Sequence, residues 1–288
     1  MNKFNKIAPI FLLVGVLLAA GLRFFQYVSI MDYDTGFFTR NGETAGLLIY
    51  ILMAIVAVVY VILLFADKKG GAAAFTVSTD GMGSHATQVI GIAELISAFI
   101  IVWGLISPSD ITTLRMICSG GIALILLVSG FLMLKNTVPP TVTGHIKLAA
   151  AAVTYFLIAE LYESDLILMR RSDKLIVMLS YLLTGAFFAS SARAFSRLET
   201  VHSRMRELIT SGLTFIICAV HTVPKILAYA FGGSAVTGMS GIDAVTAAGM
   251  LLSGAFIGTI YFTAKTKDII PVVYEEEEKE KKKKDDEE

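Results

Sequence analysis

Eight blocks of apolar residues, each roughly 20 long, constrain this chain more than any other feature. They cover about 7–27, 44–66, 86–106, 112–134, 146–168, 174–194, 208–231 and 242–264. A helix of that length crosses the hydrocarbon core of a bilayer, where every backbone N–H and C=O must be satisfied within the segment. Gly and Pro mark the gaps, as at Lys69-Gly70-Gly71, Val138-Pro139-Pro140 and Phe231-Gly232-Gly233. Composition agrees. The 288 residues are 55% hydrophobic and 17% charged, with mean hydropathy +0.72. Soluble domains average about 45–50% apolar and about 25% charged. A soluble globule and a disordered chain are both excluded. The expected fold is an all-α polytopic membrane bundle of eight transmembrane helices, with lipid as its main partner.

Tandem helical hairpins are suggested by a short recurrence. Ile92-Ala93-Glu94-Leu95 in the third block returns as Ile158-Ala159-Glu160-Leu161 in the fifth, each block following a histidine, His85 or His145. Small residues four apart let helix backbones approach closely. Gly254 and Gly258 have that spacing, as do Gly249 with Ser253 and Gly185 with Ala189. Packing inside the bundle is the expected use, and Gly254/Gly258 also offers a seam for a homo- or hetero-oligomer.

The formal net charge of zero hides a division. From Glu275 to Glu288 nine acids outnumber five lysines, whereas the remaining 274 residues hold 19 bases and 15 acids. The expected organisation is a membrane domain over 1–268 and a disordered charged tail over 269–288. The tail's four consecutive lysines suit docking or membrane contact. Basic residues lie near block ends and form no aromatic-interleaved patch, so nucleic acid is not an expected partner. Lys3 and Lys6 open the first block as they would a signal peptide, with small residues Ala19 and Gly21 near a cleavage point. Arg23 and the amphipathic Phe24-Phe25-Gln26-Tyr27 continue the helical pattern, so an uncleaved first helix is expected. With the N-terminus inside, inner segments carry 12 Lys and Arg against 7 outside. That bias places both termini in the cytoplasm of a multipass plasma-membrane protein.

An ionisable side chain at membrane depth costs roughly 3 kcal/mol or more, so it needs a partner or a task. Arg23, Glu94, Arg115, Glu160, His221 and Lys225 are the candidates. All but Glu94 fall in the outer half, with Glu163 on the Glu160 face. They suggest a polar site for a small solute or a proton. The alternative is that Arg23, Arg115 and Lys225 snorkel to the interface while Glu160 makes one buried pair. Pro224 frees the carbonyl of Val220 between His221 and Lys225, which suits either a cavity or a kink.

Catalytic motifs are scarce. HExxH, a Walker-type GK dipeptide and GxSxG are absent, and no cofactor or metal is implied. Cys118 and Cys218 lack CxxC neighbours and read as buried or lipid-facing small residues. Gly238-Met239-Ser240-Gly241 resembles the nucleophile motif of rhomboid proteases, but no histidine follows Ser240, and the resemblance is set aside. Asp32-Tyr33-Asp34 follows the first block as an acidic pair. It resembles the loop in which membrane glycosyltransferases that use lipid-linked donors place base and metal ligands. Asp-Tyr-Asp-Thr-Gly is equally good turn chemistry. The stretch from Arg23-Phe24-Phe25-Gln26 through Asp34-Thr35-Gly36-Phe37-Phe38 resembles the first loop of uncharacterised multipass proteins of Gram-positive bacteria. That resemblance implies a bacterial plasma membrane and carries no activity. Three functions are thus weighed: a small-solute permease or solute-binding component, a non-catalytic scaffold or assembly partner, and a lipid-linked transferase using Asp32 and Asp34.

Overall fold

Eight helices, each long and apolar enough to cross a membrane, form a polytopic all-α bundle in the computed structural model. The structure describes residues 6–30, 43–67, 75–77, 85–106, 112–135, 140–164, 172–195, 201–231, 242–263 and 269–271. The helices are α1 (Ile7–Ser29), α2 (Glu43–Ala66), α3 (His85–Ile106), α4 (Thr113–Lys135), α5 (Pro140–Ser164), α6 (Ser172–Phe195), α7 (Val201–Phe231) and α8 (Ala244–Gly258). A π-helical turn, Thr259–Thr263, prolongs α8. The segment carrying Asp32 and Asp34, the Gly238–Gly241 motif and residues 272–288 of the tail lie outside the described residues.

Two boundaries differ from the hydropathy reading for identifiable reasons. Helix α5 starts at Pro140 rather than 146, because proline suits a first helical position whose N–H would have no partner. Helix α7 starts at Val201 rather than 208 and runs unbroken through Pro224. Its polar first turns are stabilised by a buried Arg204–Glu207 pair three residues apart. Arg204 also stacks on Phe256, 5.1 Å from the ring centroid.

Helices α3 to α8 close a ring. Each packs on the next, and α8 returns to α3. The ring is three consecutive hairpins, α3–α4, α5–α6 and α7–α8. The first hairpin, α1–α2, docks outside the ring on α7. Burial follows this plan: 67% of the α8 span is buried but only 28% of the α2 span. The outward row Leu47, Ile51, Ile55, Val58 and Ile62 on α2 is exposed, as a lipid-facing surface would be.

Glycines set the closest approaches. A Cβ on Gly130 of α4 would lie 2.8 Å from the Gly91 carbonyl oxygen of α3, so the two backbones touch. Gly185 receives the Tyr155 ring and Gly254 the Phe215 ring, which places Gly254 against α7 inside the bundle. Nothing lies within 4 Å of a Cβ on Gly258.

The near face is the one at which α1 begins and α8 ends, with Lys6 Nζ 5.0 Å from the Phe262 ring centroid. Odd-numbered helices start there. Even-numbered helices start at the far face. One feature was not foreshadowed by hydropathy: Phe75–Val77 (β1) pairs antiparallel with Ile269–Pro271 (β2), Phe75 opposite Pro271 and Val77 opposite Ile269. The segments are rich in β-branched residues, which suit strands. The pairing occupies the first three residues beyond position 268.

Candidate functional site

Among the described residues, two polar ties cross the interior of the ring at different depths. In both, the charged partners come from helices that are not ring neighbours, so they meet through the middle.

The far tie joins α4, α6 and α8. Asp243 precedes the apolar run of α8 and caps it. Its Oδ1 accepts from the Thr246 backbone N–H at 2.7 Å and the Thr246 hydroxyl at 2.8 Å. Its Oδ2 accepts from Arg115 Nη2 at 2.5 Å and from the Tyr181 hydroxyl at 2.7 Å. Arg115 also donates to Tyr181, at 3.1 Å. The hydroxyls of Ser180 and Thr246 extend the network at 2.7 Å. Burial pushes the Asp243 carboxyl up, but Arg115, Tyr181, the Thr246 amide and His221 outweigh it and hold the carboxyl below its ordinary value.

Glu160 belongs to the same far layer. Its Oε1 accepts from Thr112 Oγ1 at 2.6 Å, and Thr112 Oγ1 accepts from the Arg115 backbone N–H at 3.2 Å. Its Oε2 is buried with no hydrogen-bond partner among the described residues. Because α5 ends at Ser164, Glu160 sits about one turn from its helix end.

The near tie joins α3 and α5. Lys147 Nζ donates to Glu94 Oε1, and both residues are buried. On α6, Ser191 of the near layer lies about 15 Å along the axis from Tyr181 of the far layer. Phe187, Phe188 and Leu252 fill the space between, with Phe187 packed on Phe188 and edge-on to Phe256 at centroid distances of 5.9 and 5.6 Å.

The structure therefore gathers Arg115, Glu160 and His221 into one layer. It sets Glu94 apart at a second depth. Arg23 lies on α1, which packs on α2 and α7 rather than in the ring. There it donates to Gln26 at 3.0 Å and stacks on Tyr27. Arg23 and Lys225 are 0% and 1% exposed, so neither snorkels out of the protein. The side chain of Glu163 lies outside the described residues. The shared IAEL tetrapeptide does not mark equivalent depths, since Glu94 and Glu160 occupy different layers.

Sequence reasoning did not single out Asp243, Tyr181, Ser191 or Lys147 as site residues. Asp243 did leave a signal. An aspartate directly before an apolar run, with an N–H three residues on, is the pattern of a helix cap. Tyr181 and Ser191 left none, because their sequence neighbours are unremarkable for a membrane helix. Among the described residues no group of three or more His, Cys, Asp and Glu could hold a metal ion. No family model matches the chain, and no curated protein or solved structure is similar to it.

Proposed function

We propose that this chain is a small-solute permease whose path runs along the axis of the α3–α8 ring. One observation carries the reading: the ring interior holds two charged ties, one per depth, where lipid-facing packing would place apolar residues. Intramembrane charges of this kind ordinarily mark substrate or proton pathways. The far tie, with Glu160 and His221 beside it, forms one gate. The Glu94–Lys147 tie forms the other. With both closed, the aromatic layer between them is occluded. The 12-to-7 basic bias orients the near face and both termini towards the cytoplasm of a plasma membrane.

A scaffold is the second reading, and the complete pairing of Asp243 favours it. Asp32 and Asp34 lie outside the described residues, so the transferase reading gains no support.

Accessibility from the far face tests the choice. A cysteine replaces Glu160 in a Cys118→Ser, Cys218→Ser background, and intact cells are treated with an impermeant thiol reagent. The permease reading expects labelling that rises when Asp243→Asn loosens the far tie. Protection in both backgrounds, with far-face loop cysteines labelled normally, would overturn it in favour of a scaffold.

A further inference from the structure

The near tie is incomplete on one side. Glu94 Oε1 accepts from Lys147, but Glu94 Oε2 has no hydrogen-bond partner among the described residues. Neither does Ser191 Oγ on α6. The two residues are 1% and 2% exposed, so bulk water does not satisfy them. Leaving a buried polar atom unsatisfied is unfavourable, the more so if it is charged. Both residues line one cavity, which Lys147, Phe187, Phe188 and Phe256 help enclose. Its space for a water-sized sphere is about 10 Å³, enough for a single molecule.

A carboxylate oxygen facing such a space can be satisfied in two ways. A water in the cavity can donate to it, or a proton can be placed on it. A small organic solute does not fit a one-water cavity, so the site is sized for water and a proton.

We propose that Glu94, Lys147 and Ser191 form a proton-exchange site. A proton carried in on the cavity water bonds to Glu94 Oε2 through an oxygen lone pair and leaves neutral water behind. Lys147 remains an ammonium throughout. The new carboxyl O–H donates to Ser191 Oγ, an acceptor already placed on the same cavity. The site passes from net zero to +1, and the attraction between α3 and α5 falls from an ion pair to a charge–dipole contact. Protonation thereby loosens the near gate.

On α5, Lys147 donates to Glu94, and His145, two residues away, is exposed. Helix α6 contributes Ser191, and α8 contributes Leu252 and Phe256. Helix α7 contributes the Arg204–Glu207 pair, with Arg204 stacked on the Phe256 ring that lines the cavity. On the α4 side, Gly91 one turn from Glu94 meets Gly130, Met133 and Leu134, none of them titratable.

The use of this site in coupling rests on the permease reading, but its proton chemistry does not. The full-length chain in lipid nanodiscs, taken from neutral to acid pH, is followed by infrared difference spectroscopy. A protonated-carboxyl carbonyl band present in wild type and lost in Glu94→Gln is expected, with the loss of one bound proton per chain. Should that variant fail to fold, the Glu94→Gln/Lys147→Met double variant preserves net charge and is expected to lose the same band. Ser191→Ala should move the midpoint of the band to lower pH, because the protonated form loses its acceptor. A Glu94 band absent at every pH where the protein stays folded overturns the proposal. Flux measurements in proteoliposomes separate the two ideas. A Glu94 band without flux of glycine, urea or protons keeps the site and overturns the permease. Flux without the band does the reverse.

Discussion

Arg115 and Asp243 meet across the inside of the ring, Nη2 to Oδ2 at 2.5 Å, from helices that are not neighbours in it. Their side chains are 29% and 7% exposed. The pair therefore ties α4 to α8 while Asp243 also caps α8. One carboxylate thus joins a local task, ending a helix, to a long-range one, holding α4, α6 and α8 together.

Asp243→Asn keeps a side-chain oxygen for the cap and removes the charge. Loss of the charge-assisted bonds should destabilise the protein by about 2 kcal/mol, moderated by the partial exposure of Arg115. Asp243→Ala removes the cap as well and should cost about 1 kcal/mol more. Thermal unfolding in detergent checks this order. Equal melting temperatures for wild type and Asp243→Asn would disprove the tie.

The depressed Asp243 carboxyl fixes a pH dependence. The unfolded chain takes up its proton near the ordinary aspartate value of about 3.9, and the folded one only at lower pH. Stability from this group is therefore complete above about pH 4 and lost as pH falls through the folded value. Melting curves of wild type should drop over that window by more than those of Asp243→Asn. Parallel curves would contradict the assignment.

The near tie predicts an asymmetry between single and paired substitutions. Lys147→Met strands the Glu94 carboxylate in a buried site and should cost about 3–5 kcal/mol. Adding Glu94→Gln should restore most of that loss. A double variant as unstable as Lys147→Met alone would show that the two residues do not form a pair.

Glycine substitutions test the hairpin contact. Gly130→Ala drives a methyl to 2.8 Å from the Gly91 carbonyl and should cost about 1–3 kcal/mol. Gly21→Ala and Gly258→Ala have open space and should be neutral or slightly stabilising. Unfolding midpoints that do not separate these variants would rule out the close α3–α4 approach.

Much of this was legible because hydropathy is local. Each apolar block specifies its own crossing, whatever its neighbours do, since the backbone in lipid must satisfy itself. The eight spans and the presence of ionisable residues inside them follow from that alone. Boundaries slipped where polar residues continue a helix beyond its apolar part, as at Val201–Glu207 of α7.

Partner choice is a different kind of information. Arg115 and Asp243 are 128 residues apart in the chain, and Glu94 and Lys147 are 53 apart. No spacing rule links them. The lipid-facing and ring-facing surfaces of these helices are built from the same Leu, Ile, Val, Ala and Phe, so composition does not say which helix meets which. Only the tertiary packing, with α8 closing onto α3 where Gly104 meets Ala244, turned separate charged residues into two ties and placed an unpaired Glu94 oxygen on a cavity the size of one water.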